Sequence, residues 1–232
     1  MKAFCITIKD NPISEKGFNA CWQSCRDAEN DFNVKRFNAS TESTVKKEII
    51  DWDLVWNYPW EGKVSCIATG LVKSAYPTAI KERRMAAAVS HFRLWTECFE
   101  KKEPIMVLEH DAFFIKKLDY QYLLDSKYDI IGINNPLGAT RRAQLFHDII
   151  KKNKKDIQPV PTIDEFNIPQ GLAGNSAYII KPSGAEKMIE LVFKYGLWPN
   201  DALMCKQLVD NLGVSKTFYT RVQGLTSTTT QH

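Results

Sequence analysis

Two carboxylates one residue apart point to the same side of an extended chain. They can then share a hard divalent cation whose other ligands are diphosphate oxygens and water, and such a cation neutralises a leaving diphosphate. Glu109 and Asp111 have this spacing, and they follow the apolar run of residues 105–108, IMVL. Ligands of open α/β sheets bind outside the carboxyl ends of strands, which is where an apolar strand passing into acids puts these groups. A solvated surface turn can also contain an acid-x-acid triplet, and the preceding strand is what argues against that reading. His110, between the two acids, offers a ring nitrogen either as a further ligand or as a hydrogen-bonding neighbour. Asp201 follows Trp-Pro-Asn. Its carboxylate suits a general base acting on an attacking hydroxyl; the same residue at a helix start also suits a cap worth about 1 kcal/mol. Ser90 and His91 are polar residues on a helical stretch, facing a ligand or satisfied by a neighbouring backbone carbonyl.

The elements that must position these groups alternate in type. Residues 3–8 (AFCITI) read as a buried strand stopped by Lys-Asp-Asn-Pro. A helix over 17–30 and a strand carrying Phe32, Val34 and Phe37 complete an opening βαβ unit. Residues 41–80, with Trp52, Trp56 and Trp60, show no sustained period and read as loops with short helices; the tryptophans read as packing rather than as sugar platforms. An apolar stripe of Met85, Ala88, Val89, Phe92, Trp95 and Phe99 predicts a helix over residues 83–99. Residues 105–108 read as a central parallel strand, apolar on both faces. Further strands are expected at 128–133 and 177–180. A helix opening on a Ser183-x-x-Glu186 capping box should run to Gly196, and a last helix should cover 201–212. The polar tail TSTTTQH is expected to fray or to fold over a bound ligand.

The 232 residues fit one α/β domain, 1–232, with a basic and mobile insertion at about 139–169 that holds Lys151, Lys152, Lys154 and Lys155. Hydrophobic residues make up 44% and charged residues 25%, a composition that excludes a long disordered segment. The formal charge of +4 is compatible with phosphorylated ligands and does not demand nucleic acid. Six scattered cysteines without a CxxC pair predict reduced core thiols. No run of 18 apolar residues occurs, and a soluble, cytoplasmic protein is expected.

Four ordered motifs resemble glycosyltransferase family 25, which includes lipooligosaccharide and collagen galactosyltransferases. They are residues 87–95 (AAVSHFRLW), 104–114 (PIMVLEHDAFF), 174–180 (GNSAYII) with Gly184-Ala185, and 198–201 (WPND). Residues 3–8 and Phe37-Asn38-Ala39 fit the family's opening strands more loosely. The sequence departs from the pattern at Ala86-Ala87, where Gly-Cys is usual, and at His110, where the acidic triplet has Asp. The Arg-rich pattern after the first strand is also missing, with only Lys9 and Lys16 there. The resemblance implies a GT-A-like (Rossmann-like) mixed sheet flanked by helices. It implies a nucleotide-diphosphate sugar, UDP-sugar first, as donor, with Mn²⁺ or Mg²⁺ at Glu109 and Asp111. It implies inverting transfer to a hydroxyl with Asp201 as catalytic base. Thr7, Lys9, Asn38, Ser90, His91 and Glu109 would contact the donor, and Asn175 and Ser176 the acceptor.

The acceptor is expected to be a saccharide or a hydroxymethylated base in DNA, the latter suggested by Arg141, Arg142 and the lysines after them; a hydroxylated protein side chain is the further option. The competing expectation is a non-catalytic nucleotide-sugar-binding module of the same fold. A metal-dependent phosphodiesterase would need a second Asp or His cluster, and the sequence has none.

Overall fold

The computed structural model describes residues 1–229. Residues 230–232, the end of the tail expected to fray or fold over a ligand, lie outside the described residues. In chain order the elements begin with β1 (Lys2–Thr7), α1 (Pro12–Asp27), β2 (Val34–Asn38), α2 (Val45–Asp51), β3 (Lys63–Ser65) and β4 (Val72–Ser74). They continue with α3 (Lys81–Lys101), β5 (Ile105–Glu109), β6 (Ala112–Phe114), α4 (Tyr120–Leu124), β7 (Ile130–Gly132) and α5 (Ala143–Lys152). The last are β8 (Ile157–Pro159), β9 (Ala177–Ile180), α6 (Pro182–Tyr195), α7 (Asn200–Leu203), β10 (Leu212–Ser215) and β11 (Thr220–Val222).

Seven strands form one sheet in the order β2-β1-β5-β9-β7-β10-β8. β1 runs parallel to β2 and β5, and β7 parallel to β10, while β9 is antiparallel to both β5 and β7 and β8 antiparallel to β10. The molecule is therefore a single α/β domain on a mixed sheet flanked by helices, as the motifs imply. β5 has a parallel neighbour on one side only, because the apolar run that makes it central fixes its burial and not its partners' direction.

The period-2 alternation of side chains divides the core in two. Phe4, Ile6, Ile105 and Val107 face one layer with Phe92, Trp95 and Trp198. Ala3, Cys5, Met106 and Leu108 face the other with Cys21, Cys25 and Phe114. All six cysteines are free, and five are buried. Trp56 and Trp60 stack on one another at 4.8 Å, and Trp52 meets Phe92 edge-on at 5.6 Å, so these tryptophans pack against aromatic neighbours.

Two local expectations need correction. Ser183 does not cap α6: Lys181 is the cap, and the Ser183 hydroxyl donates to Asp129 Oδ1 at 2.5 Å instead. The expected helix over 201–212 stops at Leu203; Gln207 sends its side-chain amide to the Phe166 and Ile168 carbonyls, and Gly171 bridges Cys205, so this stretch is spent tying down the loop before β9. Residues 139–169 contain α5 and the edge strand β8, whose Pro159 is tolerated because it sits at the sheet edge. Among the described residues no helix is long and apolar enough to cross a membrane.

Candidate active site

β5 delivers Glu109 at its carboxyl end, and a two-residue turn, His110 and Asp111, follows before β6 begins. Glu109, His110 and Asp111 all line one cleft of about 640 Å³. The turn is held from the far end of the chain. Gln223 donates its backbone N–H to the Asp111 carbonyl at 2.8 Å. Its side-chain amide reaches the carbonyls of Gly17, His110 and Ala112 at 2.9, 3.1 and 2.9 Å. Gly17 of α1 packs so closely beneath that a Cβ there would lie 2.5 Å from the His110 carbonyl oxygen. A backbone atom held by Gln223 cannot yield, so Gly17→Ala is expected to destabilise the protein by about 1–3 kcal/mol, outweighing the gain in helix propensity. Thermal unfolding should show a fall of several degrees; an unchanged midpoint would mean that the turn adjusts freely.

Burial works to raise the Glu109 carboxyl, but the hydrogen bond and charge of His91, helped by His110 and Arg84, overcome it and hold the group below the ordinary carboxylate range. Asp111 goes the other way: burial, then the charge of Glu109, pushes it up to about 7, against a hydrogen bond from Ser176. Its Oδ1 is buried without a partner. Two neighbouring carboxylates, one ionised and one reluctant, are the electrostatics of a site awaiting a proton or a cation.

His91 is buried, with both ring nitrogens engaged. Trp95 Nε1 donates to the Tyr178 hydroxyl oxygen at 2.8 Å, His91 Nδ1 lies 2.8 Å from that oxygen, and His91 Nε2 lies 3.2 Å from Glu109 Oε1. An indole N–H only donates. The Tyr178 oxygen therefore accepts from Trp95, and His91 presents Nε2 to the carboxylate. His91 thus orients Glu109. His110, between the acids, bonds the Ile6 backbone, and burial holds its imidazole below the usual histidine range against the pull of Glu109.

Asp201 lines the same cleft. Its Oδ2 accepts from the Tyr76 hydroxyl at 3.2 Å, Tyr76 stacks on Tyr58 at 5.8 Å, and the Arg84 guanidinium lies 4.9 Å from the Tyr76 ring centre. Burial raises the Asp201 carboxyl, and Arg84 and Tyr76 only partly offset it. Pro199 is the cap of α7, so Asp201 sits inside the first turn and is not the capping residue.

The structure gathers Ser90, His91, Glu109, Asp111, Asn175, Ser176 and Asp201 around one cleft. Ser90 is fully spent there: its hydroxyl donates to the Ala86 carbonyl at 2.8 Å and accepts the Ser40 amide at 2.9 Å, which anchors the loop at 39–43 as a wall. Thr7, Lys9 and Asn38 are not among the residues that line the cleft. Strand alternation sends Ile6 and Ile8 to the cleft, while the Thr7 hydroxyl turns back onto the Cys5 carbonyl. Lys9 is exposed in the turn after β1, and Asn38 is exposed, leaving Ala39 and Ser40 to face the ligand space. Sequence reasoning missed Gln223, Arg84, Tyr76 and Asn200. Only Asn200 carried a local signal, its place beside Asp201.

A family model described as glycosyltransferase family 25 (LPS biosynthesis protein) matches residues 28–204. The chain belongs to glycosyltransferase family 25. The match takes in all four motifs and every cleft acid named above, so this family 25 protein has its acidic turn and Asp201 within the region that defines the family. Among curated proteins no match is found.

Whether the cleft suits a divalent cation is answered by its donors. Among the described residues no three His, Cys, Asp or Glu side chains gather around one point. Glu109 and the unpartnered Asp111 oxygen offer two hard oxygen donors, the number used by sites that take their remaining ligands from phosphates and water. In this family 25 cleft Glu109 and Asp111 are the residues that would hold such an ion, whose other ligands would come from a bound substrate and water.

Proposed function

We propose that this family 25 glycosyltransferase moves a sugar from a nucleoside-diphosphate donor, UDP-sugar first, to a hydroxyl acceptor with inversion at the transferred carbon. The observation that carries the reading is the convergence of Glu109, the unpartnered Asp111 oxygen and Asp201 on one cleft in a chain of this family. Glu109 and Asp111 would hold Mn²⁺ or Mg²⁺, which when bound neutralises charge on the departing diphosphate. Asp201, which lines the same cleft, would take the proton of the incoming hydroxyl, a role suited to a carboxylate raised above its ordinary range. His91, fixed by Tyr178 and Trp95, holds Glu109 in one orientation. The buried walls at Ala86 and Leu172 limit the water that competes with the acceptor.

The acceptor we propose is a saccharide. The hydroxymethylated base in DNA becomes an arm of the same test. Incubating the protein with a panel of nucleotide sugars and Mn²⁺, with and without chelator, should show by mass spectrometry slow donor hydrolysis that the chelator suppresses. Adding oligosaccharides or hydroxymethylated DNA then shows which one gains the mass of the sugar. Nucleotide-sugar binding indifferent to metal, with no turnover of any donor, would favour the non-catalytic binding module.

A further inference from the structure

Asn175 and Asn200 both line the cleft, are 7% and 8% exposed, and carry side-chain amide atoms without any hydrogen-bond partner. On Asn175 both the oxygen and the nitrogen are unpartnered; on Asn200 the nitrogen is. Buried polar groups are almost always paired, so unspent ones facing a cavity mark where a ligand makes its bonds. The chemistry of that ligand follows from the bonding inventory. Whichever way the Asn175 amide is turned, it leaves one donor and one acceptor open. Phosphate oxygens only accept, and a metal ion only receives lone pairs, so neither alone satisfies both ends. A hydroxyl donates and accepts, and a pair of vicinal hydroxyls matches an amide edge.

Their neighbours say which part of a ligand they meet. Asn175 is joined to Ser176, whose side chain bonds Asp111, and Asn200 is joined to Asp201. The two elements are locked together. A Cβ on Gly171 would lie 2.5 Å from the Asp201 carbonyl oxygen, and Gly171 bridges Cys205, so the loop carrying Asn175 lies backbone-to-backbone against the segment carrying Asn200. Gly174, at φ +84°, turns the loop into place, a backbone state that any side chain would strain.

We infer that Asn175 and Asn200 form a hydroxyl-reading pair for the ring of the transferred sugar, setting which neutral sugar the enzyme moves, so that Asn175 serves the donor in place of the acceptor contact that the family resemblance implies. The inference rests on the function proposed above. In an in-line displacement the transferred ring lies between the leaving diphosphate and the base, and these two amides line the same cleft, one next in sequence to Ser176 and the other to Asp201. A sugar whose hydroxyls meet the amides completes their hydrogen bonding. A deoxy analogue leaves them buried and unpaired, the situation that gives hydrogen-bonding sites strong discrimination.

The test uses the nucleoside-diphosphate sugar that the wild-type chain hydrolyses fastest, its deoxy analogues, and the nucleoside diphosphate alone. Asn200→Ala and Asn175→Ala are expected to lower kcat/KM for the full sugar by roughly 10–100-fold, the scale of a lost hydrogen bond in a closed site. Both should bind the nucleoside diphosphate within about threefold of wild type. Against the deoxy donor lacking the hydroxyl that is read, the gap between variant and wild type should close, because the contact is already gone. Asn→Ser at each position supplies folded variants should an alanine lose its thermal transition. Equal loss of diphosphate and sugar-donor binding, or an unchanged gap against every deoxy donor, overturns the inference. Such results leave wild-type turnover, and with it the transferase reading, standing.

Discussion

Asp111→Asn is expected to reduce transfer by at least about 10²–10³-fold, the scale of losing one electrostatic stabiliser in a closed site, while leaving the protein folded and, without metal, more stable at neutral pH. The two effects have one cause. Burial and the charge of Glu109 push Asp111 up to about 7, against about 3.9 in an unfolded chain. The folded state therefore binds this proton more tightly than the unfolded state. Its stabilising contribution is complete below about pH 4 and is lost as pH rises through about 7. In chelator, the unfolding midpoint of the parent should fall between about pH 4 and 7, and that of the Asn variant should fall less. The fall is of the order of a few kcal/mol. An Asn variant that keeps full activity in the presence of Mn²⁺, or that follows the parent's pH profile of stability, would remove Asp111 from the role given to it.

Asp201→Asn is expected to lower kcat by about 10²–10⁴-fold, the usual contribution of a positioned base, with little change in donor KM. The amide keeps the acceptor for the Tyr76 hydroxyl and removes a carboxylate whose burial is unfavourable, so the thermal midpoint should hold or rise. Because burial raises this carboxyl, the acid limb of the kcat profile should lie above the ordinary carboxylate range, with activity rising as pH increases through it. Arg84 opposes that rise. Arg84→Met should therefore move the limb to higher pH, a shift that a merely structural arginine would not produce. If Asp201→Asn retained kcat within about threefold, the base would have to be sought elsewhere.

Much of this site could be read from the chain because its framework is local. Residues 105–108 are apolar on both faces, and the strand they form leads directly into Glu109. The stripe from Met85 to Phe99 lies within α3, and Gly196 ends α6 where a left-handed or extended residue was needed. What escaped detection depends on partners far away in sequence. Ser183 has the spacing of a cap, yet Asp129, 54 residues earlier, takes its hydroxyl. The helix expected over 201–212 does not extend past Leu203, because Gln207 and Cys205 are tied to the loop around Gly171. Thr7 and Asn38 were placed by the family pattern; strand alternation moves the ligand-facing positions to their neighbours. Gln223 lies in a polar stretch with nothing to distinguish it, and its role exists only because β11 pairs with β6.

That pairing has a consequence for how the protein comes to life. The Gln223 amide meets the Gly17 carbonyl across 206 positions of chain, a closure that must wait until residue 223 has been made and released. Until then the nascent protein can assemble β1, β2 and β5 while the turn after β5 lacks its clasp. Competence to grip a ligand should thus arrive only once Gln223 is seated on the carbonyls of residues 17, 110 and 112.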